Sequence, residues 1–239
     1  MLAPMAELSK VISVDDQKRA AAHRAVAEFV RSEMVVGLGT GSTAIHATRQ
    51  IGELLASGEL REVVGVPTAI ETADAARAAG IPLLGDDVPW GIDVTIDGAD
   101  EVDPDLNVIK GGGGALLREK LVAQASAFEA IVVDETKRSK VLGTSFALPV
   151  EVVDFGLATT IRAIEHLGAK VVVRGGDQPF RTDQGNLVLD CDFGPIRDAP
   201  DLSAVLHAHA GVVEHGLFLG LVHALVVAGP DGVEVIRKS

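Results

Sequence analysis

Apolar positions along this chain alternate between short continuous runs and longer stretches spaced at three and four, a rhythm that predicts strands separated by amphipathic helices. After Asp15 and Asp16, the residues Ala22, Val26, Phe29 and Val30 share one helical face. The two acids complement the helix dipole at its start, and a helix is expected to about Ser32. A run at 34–38, interrupted by Gly37, leads through a tight loop into a helix carrying Ile45, Ile51 and Leu55. The alternation continues with a strand at 63–66, a helix at 70–79 closed by Gly80, and strands at 81–84 and 92–96. A helix over 115–127 and a buried strand at 130–133 follow. Strands that alternate with helices imply a parallel sheet covered on both faces.

The rhythm then changes. Segments 150–153, 157–167, 169–173, 186–189, 202–209 and 212–213 read as strand, helix, strand, strand, helix, strand, the split βαβ order of a ferredoxin-like unit. The link at 175–185 is rich in Gly, Asp and Gln, as a solvent-facing hairpin requires. Segments 217–227 and 233–236 are expected as strands returning around Gly229-Pro230-Asp231-Gly232 to the first sheet. The predicted fold is α/β, with a Rossmann-like parallel sheet domain over 1–143 and 217–239 and a smaller ferredoxin-like α+β domain over 144–216.

Composition narrows the function. Aromatic residues make up 3% of the 239 residues and tyrosine is absent, which argues against base-stacking surfaces. A net charge of −13 disfavours nucleic acid and anionic membranes as partners. A phosphorylated ligand must then be captured by local backbone N–H groups and placed lysines. The single cysteine, Cys191, the lack of an apolar run of membrane-spanning length and an N-terminal segment without a signal-peptide pattern give the expectation of a cytoplasmic protein.

Four motifs carry candidate chemistry. Gly37-Leu38-Gly39-Thr40-Gly41-Ser42-Thr43 lies between a strand and a helix, where successive N–H groups and the helix dipole favour phosphate. It lacks the glycine and the downstream acid of a dinucleotide fingerprint, and the lysine of a P-loop. An ordinary capped glycine turn is its other reading. Asp97-Gly98-Ala99-Asp100-Glu101 leaves a strand's carboxyl end, the place where parallel sheets bind ligands, or else it is a solvated acidic turn. The alternating Asp103, Asp105 and Asn107 lack the glycine and glutamate of a calcium loop, so no metal site is expected.

Lys110 with Gly111, Gly112, Gly113 and Gly114 precedes Ala115-Leu116-Leu117-Arg118-Glu119-Lys120. Such a glycine run calls for unusual dihedrals or close backbone approach to a ligand. Glu119 sits among Ala115, Leu116, Val122 and Ala123 at helical spacing, so it is either a partly desolvated general base or one member of an exposed charged triplet. Lys137 follows the strand end Val132-Val133-Asp134, from which it could neutralise phosphate or an oxyanion.

Together, in this order, these motifs resemble ribose-5-phosphate isomerase of the A type. The resemblance runs end to end and takes in Gly65-Val66-Pro67-Thr68, Leu148-Pro149-Val150-Glu151-Val152 and Gly211-Val212-Val213-Glu214-His215-Gly216-Leu217-Phe218. It implies a cofactor-free homodimer acting on ribose 5-phosphate. The residues it assigns to substrate are Thr40, Gly41, Ser42, Thr43, Asp97, Gly98, Ala99, Asp100, Lys110, Gly111, Gly112, Gly113 and Lys137, and it makes Glu119 the proton acceptor. On that basis Lys110 is expected to stabilise an ene-diolate, and Asp97 and Asp100 to handle ring opening and hydroxyl protons. By the same resemblance, Gly114 stands where many relatives have alanine, Ala69 and Ile70 where serine is frequent, and Lys18 and Arg19 in place of a lysine that approaches the phosphate.

Overall fold

The computed structural model describes residues 13–85, 88 and 91–238; the N-terminal segment read above for targeting lies outside them. Ser13 caps helix α1 (Val14–Phe29), its side chain accepting from the N–H of Asp16. Strand β1 (Val35–Leu38), helix α2 (Ala44–Ser57), strand β2 (Val64–Pro67), helix α3 (Ile70–Ala78) and strand β3 (Val94–Asp97) follow, as the alternation predicts. The expected strand at 81–84 reduces to a single bridge between Leu83 and Gly65. After β3 come two short strands absent from the sequence reading, β4 (Glu101–Val102) and β5 (Val108–Ile109). The Asp103 carboxylate accepts from the N–H groups of Asp105 and Asn107, closing the β4–β5 hairpin with an Asx turn rather than a calcium loop.

Helix α4 (Leu116–Ala125) and strand β6 (Glu129–Asp134) lead to β7 (Leu148–Val152), α5 (Leu157–His166), β8 (Lys170–Val173), β9 (Leu187–Asp192), α6 (Ala199–His207) and β10 (Val212–His215). Helix α6 begins earlier than apolar spacing indicates because Asp198 caps it and Pro200 occupies its first turn. The expected single strand at 217–227 is two, β11 (Leu217–Phe218) and β12 (Ala224–Gly229), in different sheets. Gly220, at φ 71°, turns the chain between them. Strand β13 (Gly232–Arg237) ends the order.

The main sheet runs β13-β12-β6-β3-β1-β2, parallel except for β13, which pairs antiparallel with β12. Helices α1, α2 and α3 cover one face through Ala22, Val26, Ala47, Ile51 and Ala76. Helix α4 and the small β11-β5-β4 sheet cover the other, with Ala123, Phe218 and Val108 against Ile131 and Val133. Burial on both faces is why β6 and β12 are continuously apolar over much of their length. The second sheet, β10-β7-β9-β8, is antiparallel in the ferredoxin-like order, with its own core of Val150, Leu189, Ile164 and Leu206. Leaving β1, the chain crosses first to β2 on one side and later to β3 on the other. This switch point opens a crevice beyond the carboxyl ends of β1 and β3.

Candidate active site

The glycines of the first loop are there for proximity. A Cβ on Gly37 would stand 1.8 Å from Thr95 Oγ1, and one on Gly39 would stand 2.2 Å from Asp97 Oδ1, so no other residue lets β1 and its loop run this close to β3. The Thr40 N–H donates to Asp97 Oδ1 (3.0 Å), and the Thr40 hydroxyl contacts those of Thr68 and Thr72 at 2.7 and 2.9 Å. Held from both sides, the loop presents the N–H groups of Gly41, Ser42 and Thr43 at the start of α2, and none of them has an acceptor among the described residues. Lys18 of α1 reaches in, its Nζ 3.0 Å from Ser42 Oγ. Arg19 turns away to Asp16.

The acidic motif divides. Asp97, 1% exposed, lies behind the cleft wall; its Oδ1 accepts from the N–H groups of Thr40 and Gly98. Asp100 lines the cleft and accepts from the Gly112 N–H at 2.7 Å. Glu101 points elsewhere and accepts from the N–H groups of Gly143, Thr144 and Ser145. Lys110, 2% exposed, ties the parts together. Its Nζ lies 3.0 Å from Asp97 Oδ2, 3.2 Å from Glu119 Oε1 and 2.5 Å from the Gly98 carbonyl.

Glu119 faces inward from the first turn of α4, 5% exposed, so the surface-triplet reading falls. Its Oε2 has no hydrogen-bond partner among the described residues. Desolvation, with the Asp97 charge adding to it, pushes Glu119 up to about 8 against the opposing pull of Lys110. Burial alone would lower Lys110, but the two carboxylates hold it above its ordinary value and charged. Glu129 on β6, which the sequence did not single out, is a third acid in this field. It is 1% exposed with both oxygens unpartnered among the described residues, and burial and the Asp97 charge raise it well above the ordinary range.

Thr40, Gly41, Ser42, Thr43, Gly98, Ala99, Asp100, Lys110, Gly111, Gly112, Gly113, Glu119 and Lys137 thus line one cleft with Lys18, while Asp97 stands behind it. Lys137, half-buried in the turn after β6, has no hydrogen-bond or ion-pair partner among the described residues. Among the described residues His207, Glu214 and His215 also converge closely enough to hold a metal ion, a grouping invisible in their spacing. Lys120 Nζ already sits 2.5 Å from Glu214 Oε1 and donates to the His215 carbonyl, so a cation is in place there.

With this geometry in hand, similarity to known proteins decides the family. The family model for ribose 5-phosphate isomerase A (phosphoriboisomerase A) matches residues 64–232. The chain belongs to the ribose 5-phosphate isomerase A family. A Chloroflexus aurantiacus ribose-5-phosphate isomerase A is 58% identical over 95% of each chain, and one from Desulfatibacillum aliphaticivorans is 55% identical over 95% of this chain and 99% of its own. A solved D-ribose-5-phosphate isomerase in complex with phospho-erythronic acid superposes with a TM-score of 0.91 at 36% identity, covering 94% of this chain and 99% of that one. The Methanocaldococcus jannaschii ribose 5-phosphate isomerase A structure gives 0.88 at 39% identity, over 95% and 100%. Membership fits a cleft lined by N–H groups without acceptors among the described residues, by Lys18, Lys110 and Lys137, and by one desolvated carboxylate, Glu119. The sequence reading missed Glu129, left Lys18 open and passed over Thr72; hydroxyls and a lone acid inside apolar runs give no spacing signal.

Proposed function

We propose that this chain interconverts D-ribose 5-phosphate and D-ribulose 5-phosphate by proton transfer through an ene-diolate, with Glu119 as the base. The observation that carries this reading is the Glu119 carboxylate: buried, raised in proton affinity, and with Oε2 unpartnered in the cleft that Lys110 and the glycine loop share. In the open-chain aldose the C1 carbonyl acidifies the C2 proton. Glu119 takes that proton, the C2–H electron pair forms the C1–C2 double bond, and O1 gains negative charge. Transfer of the O2 proton to O1 and return of the carbon-bound proton from Glu119 to C1 complete the ketose, with no net redox change and no cofactor required.

The N–H groups of Gly41, Ser42 and Thr43, with Lys18 and Lys137, are suited to hold the phosphate at the start of α2. Lys110, itself buried, opposes the charge on O1 and O2. Asp100, which lines the cleft, is the acid within reach of sugar hydroxyls during ring opening, and Asp97 acts through Lys110 and Thr40. The carboxylate of the phospho-erythronic acid bound by the solved relative has the planar shape and charge of such an ene-diolate. The reading also carries a cytoplasmic homodimer and the division into 1–143 with 217–239 and 144–216.

The test is turnover of ribose 5-phosphate by wild type and by Glu119→Gln, with a CoA thioester as the competing substrate class. Wild type should convert the sugar phosphate only, and Glu119→Gln should lose about 10²- to 10⁴-fold in kcat while still binding it. Near-normal turnover by Glu119→Gln would remove the base assignment.

A further inference from the structure

The hairpin between β8 and β9 reaches across to the glycine loop. Arg174, at its start, donates through Nη1 to the carbonyls of both Gly111 (2.8 Å) and Gly112 (3.1 Å). The guanidinium is aimed by Asp190 on β9, which takes Nε at 3.1 Å and Nη2 at 2.5 Å. Phe180, from the hairpin tip, lies 5.9 Å from the guanidinium and covers Gly114 so closely that a Cβ there would stand 2.3 Å from the ring. Glycine at 114 is required on both counts, since Gly114 also has φ 80°.

A trans peptide points its N–H away from its C=O, and no cis bond is present among the described residues. Fixing the Gly111 carbonyl on Arg174 therefore turns the Gly112 N–H toward Asp100, where it is found donating at 2.7 Å. Fixing the Gly112 carbonyl likewise turns the Gly113 N–H away from Arg174. Gly113 lines the cleft, and its N–H has no acceptor among the described residues. A guanidinium on the carbonyl also withdraws electrons from that amide and makes its N–H a better donor to an anion.

We propose that Arg174, held by Asp190, is a positioning residue that locks the Gly112–Gly113 peptide so that the Gly113 N–H donates to the oxyanion formed during isomerisation. This rests on the isomerase reading above and assigns a role in that chemistry to a strap from the second sheet. The donor is fixed before substrate arrives, so the benefit is largest in the transition state.

The experiment compares Arg174→Ala, Arg174→Lys and Asp190→Asn with Arg181→Ala, which removes another arginine of the same hairpin, paired with Asp154. Arg174→Ala should lose about 10- to 100-fold in kcat with KM changed less than about 3-fold, the signature of a loosened oxyanion donor. Arg174→Lys should not rescue, because one ammonium cannot span two carbonyls and Asp190. Low guanidinium concentrations should partly restore Arg174→Ala, and Asp190→Asn should show a smaller loss of the same kind. Amide exchange of Gly112 and Gly114 should accelerate in Arg174→Ala while β3 and β6 stay protected. This readout needs no substrate, so it still tests the strap if wild type fails on ribose 5-phosphate and the functional reading falls. Unchanged kcat and unchanged exchange in Arg174→Ala, or an equal loss in Arg181→Ala, would overturn the proposal.

Discussion

Replacing Lys110 by methionine removes the one cation between two buried carboxylates and leaves its volume nearly filled. At the observed 3.2 Å, with an effective dielectric near 20, the attraction between Lys110 and Glu119 is about 5 kcal/mol. Desolvation of the pair and repulsion from Asp97 offset part of this. If half survives, its loss lifts Glu119 by about two further pKa units from its already raised position. At neutral pH the ionised fraction of the base then falls by about 10²-fold, and loss of an electrostatic partner for the oxyanion removes roughly another 10². The expected loss in kcat is on the order of 10⁴-fold at saturating ribose 5-phosphate.

Stability moves with it. Breaking a buried ion pair costs about 3–5 kcal/mol, less whatever the carboxylates recover by taking up protons. In Lys110→Met both acids would have folded-state pKa values far above their unfolded ones. The folded state then holds protons that the unfolded state releases, so stability present at acid pH is lost as pH rises toward those raised values. Turnover, corrected for folded fraction, and thermal unfolding across pH measure both effects. A folded Lys110→Met enzyme within about 10-fold of wild type would refute the assignment of Lys110 to the developing oxyanion.

Because Glu119 is raised to about 8, kcat/KM of the wild type should climb as pH rises toward that value, the base form being gained on deprotonation; a flat profile from acid to mildly alkaline pH would contradict the site as described. Lys137→Ala and Lys18→Ala should raise KM for ribose 5-phosphate by about 10- to 100-fold with kcat little changed, since a phosphate contact persists unaltered through the reaction. A fall in kcat at constant KM would place these lysines at the reacting carbons instead.

The main sheet was legible because each central strand is buried on both faces and each helix on one, so period and burial agree. Errors fell where that agreement lapses. Strands β4 and β5 are two residues each, too short for any period, and the hairpin is set by Asp103 accepting backbone N–H groups rather than by apolar pattern. The 217–227 run is apolar apart from Gly220 and His223 because both of its halves are buried, in different sheets, and Gly220 marks the break. Arg174 could not be distinguished in sequence from a solvated hairpin arginine. Its partners are 62 and 63 residues away and are backbone carbonyls, which carry no residue identity.

The same gap explains why residue pattern alone named Asp97 and Glu119 without ranking them and passed over Glu129. Asp97, Glu119 and Glu129 share one buried lysine, and burial raises all three. What separates them is the supply of donors. Asp97 receives two backbone N–H groups besides Lys110, Glu119 receives Lys110 on one oxygen only, and Glu129 receives none. The donors at Asp97 oppose the effect of burial there, nothing among the described residues donates to the Glu129 carboxylate, and Glu119, raised to about 8, stays near the balance where a proton is gained and lost readily. The base is selected by the backbone around it, by the Thr40 and Gly98 N–H groups donated to Asp97 and the close approach that Gly39 allows, as much as by its own side chain.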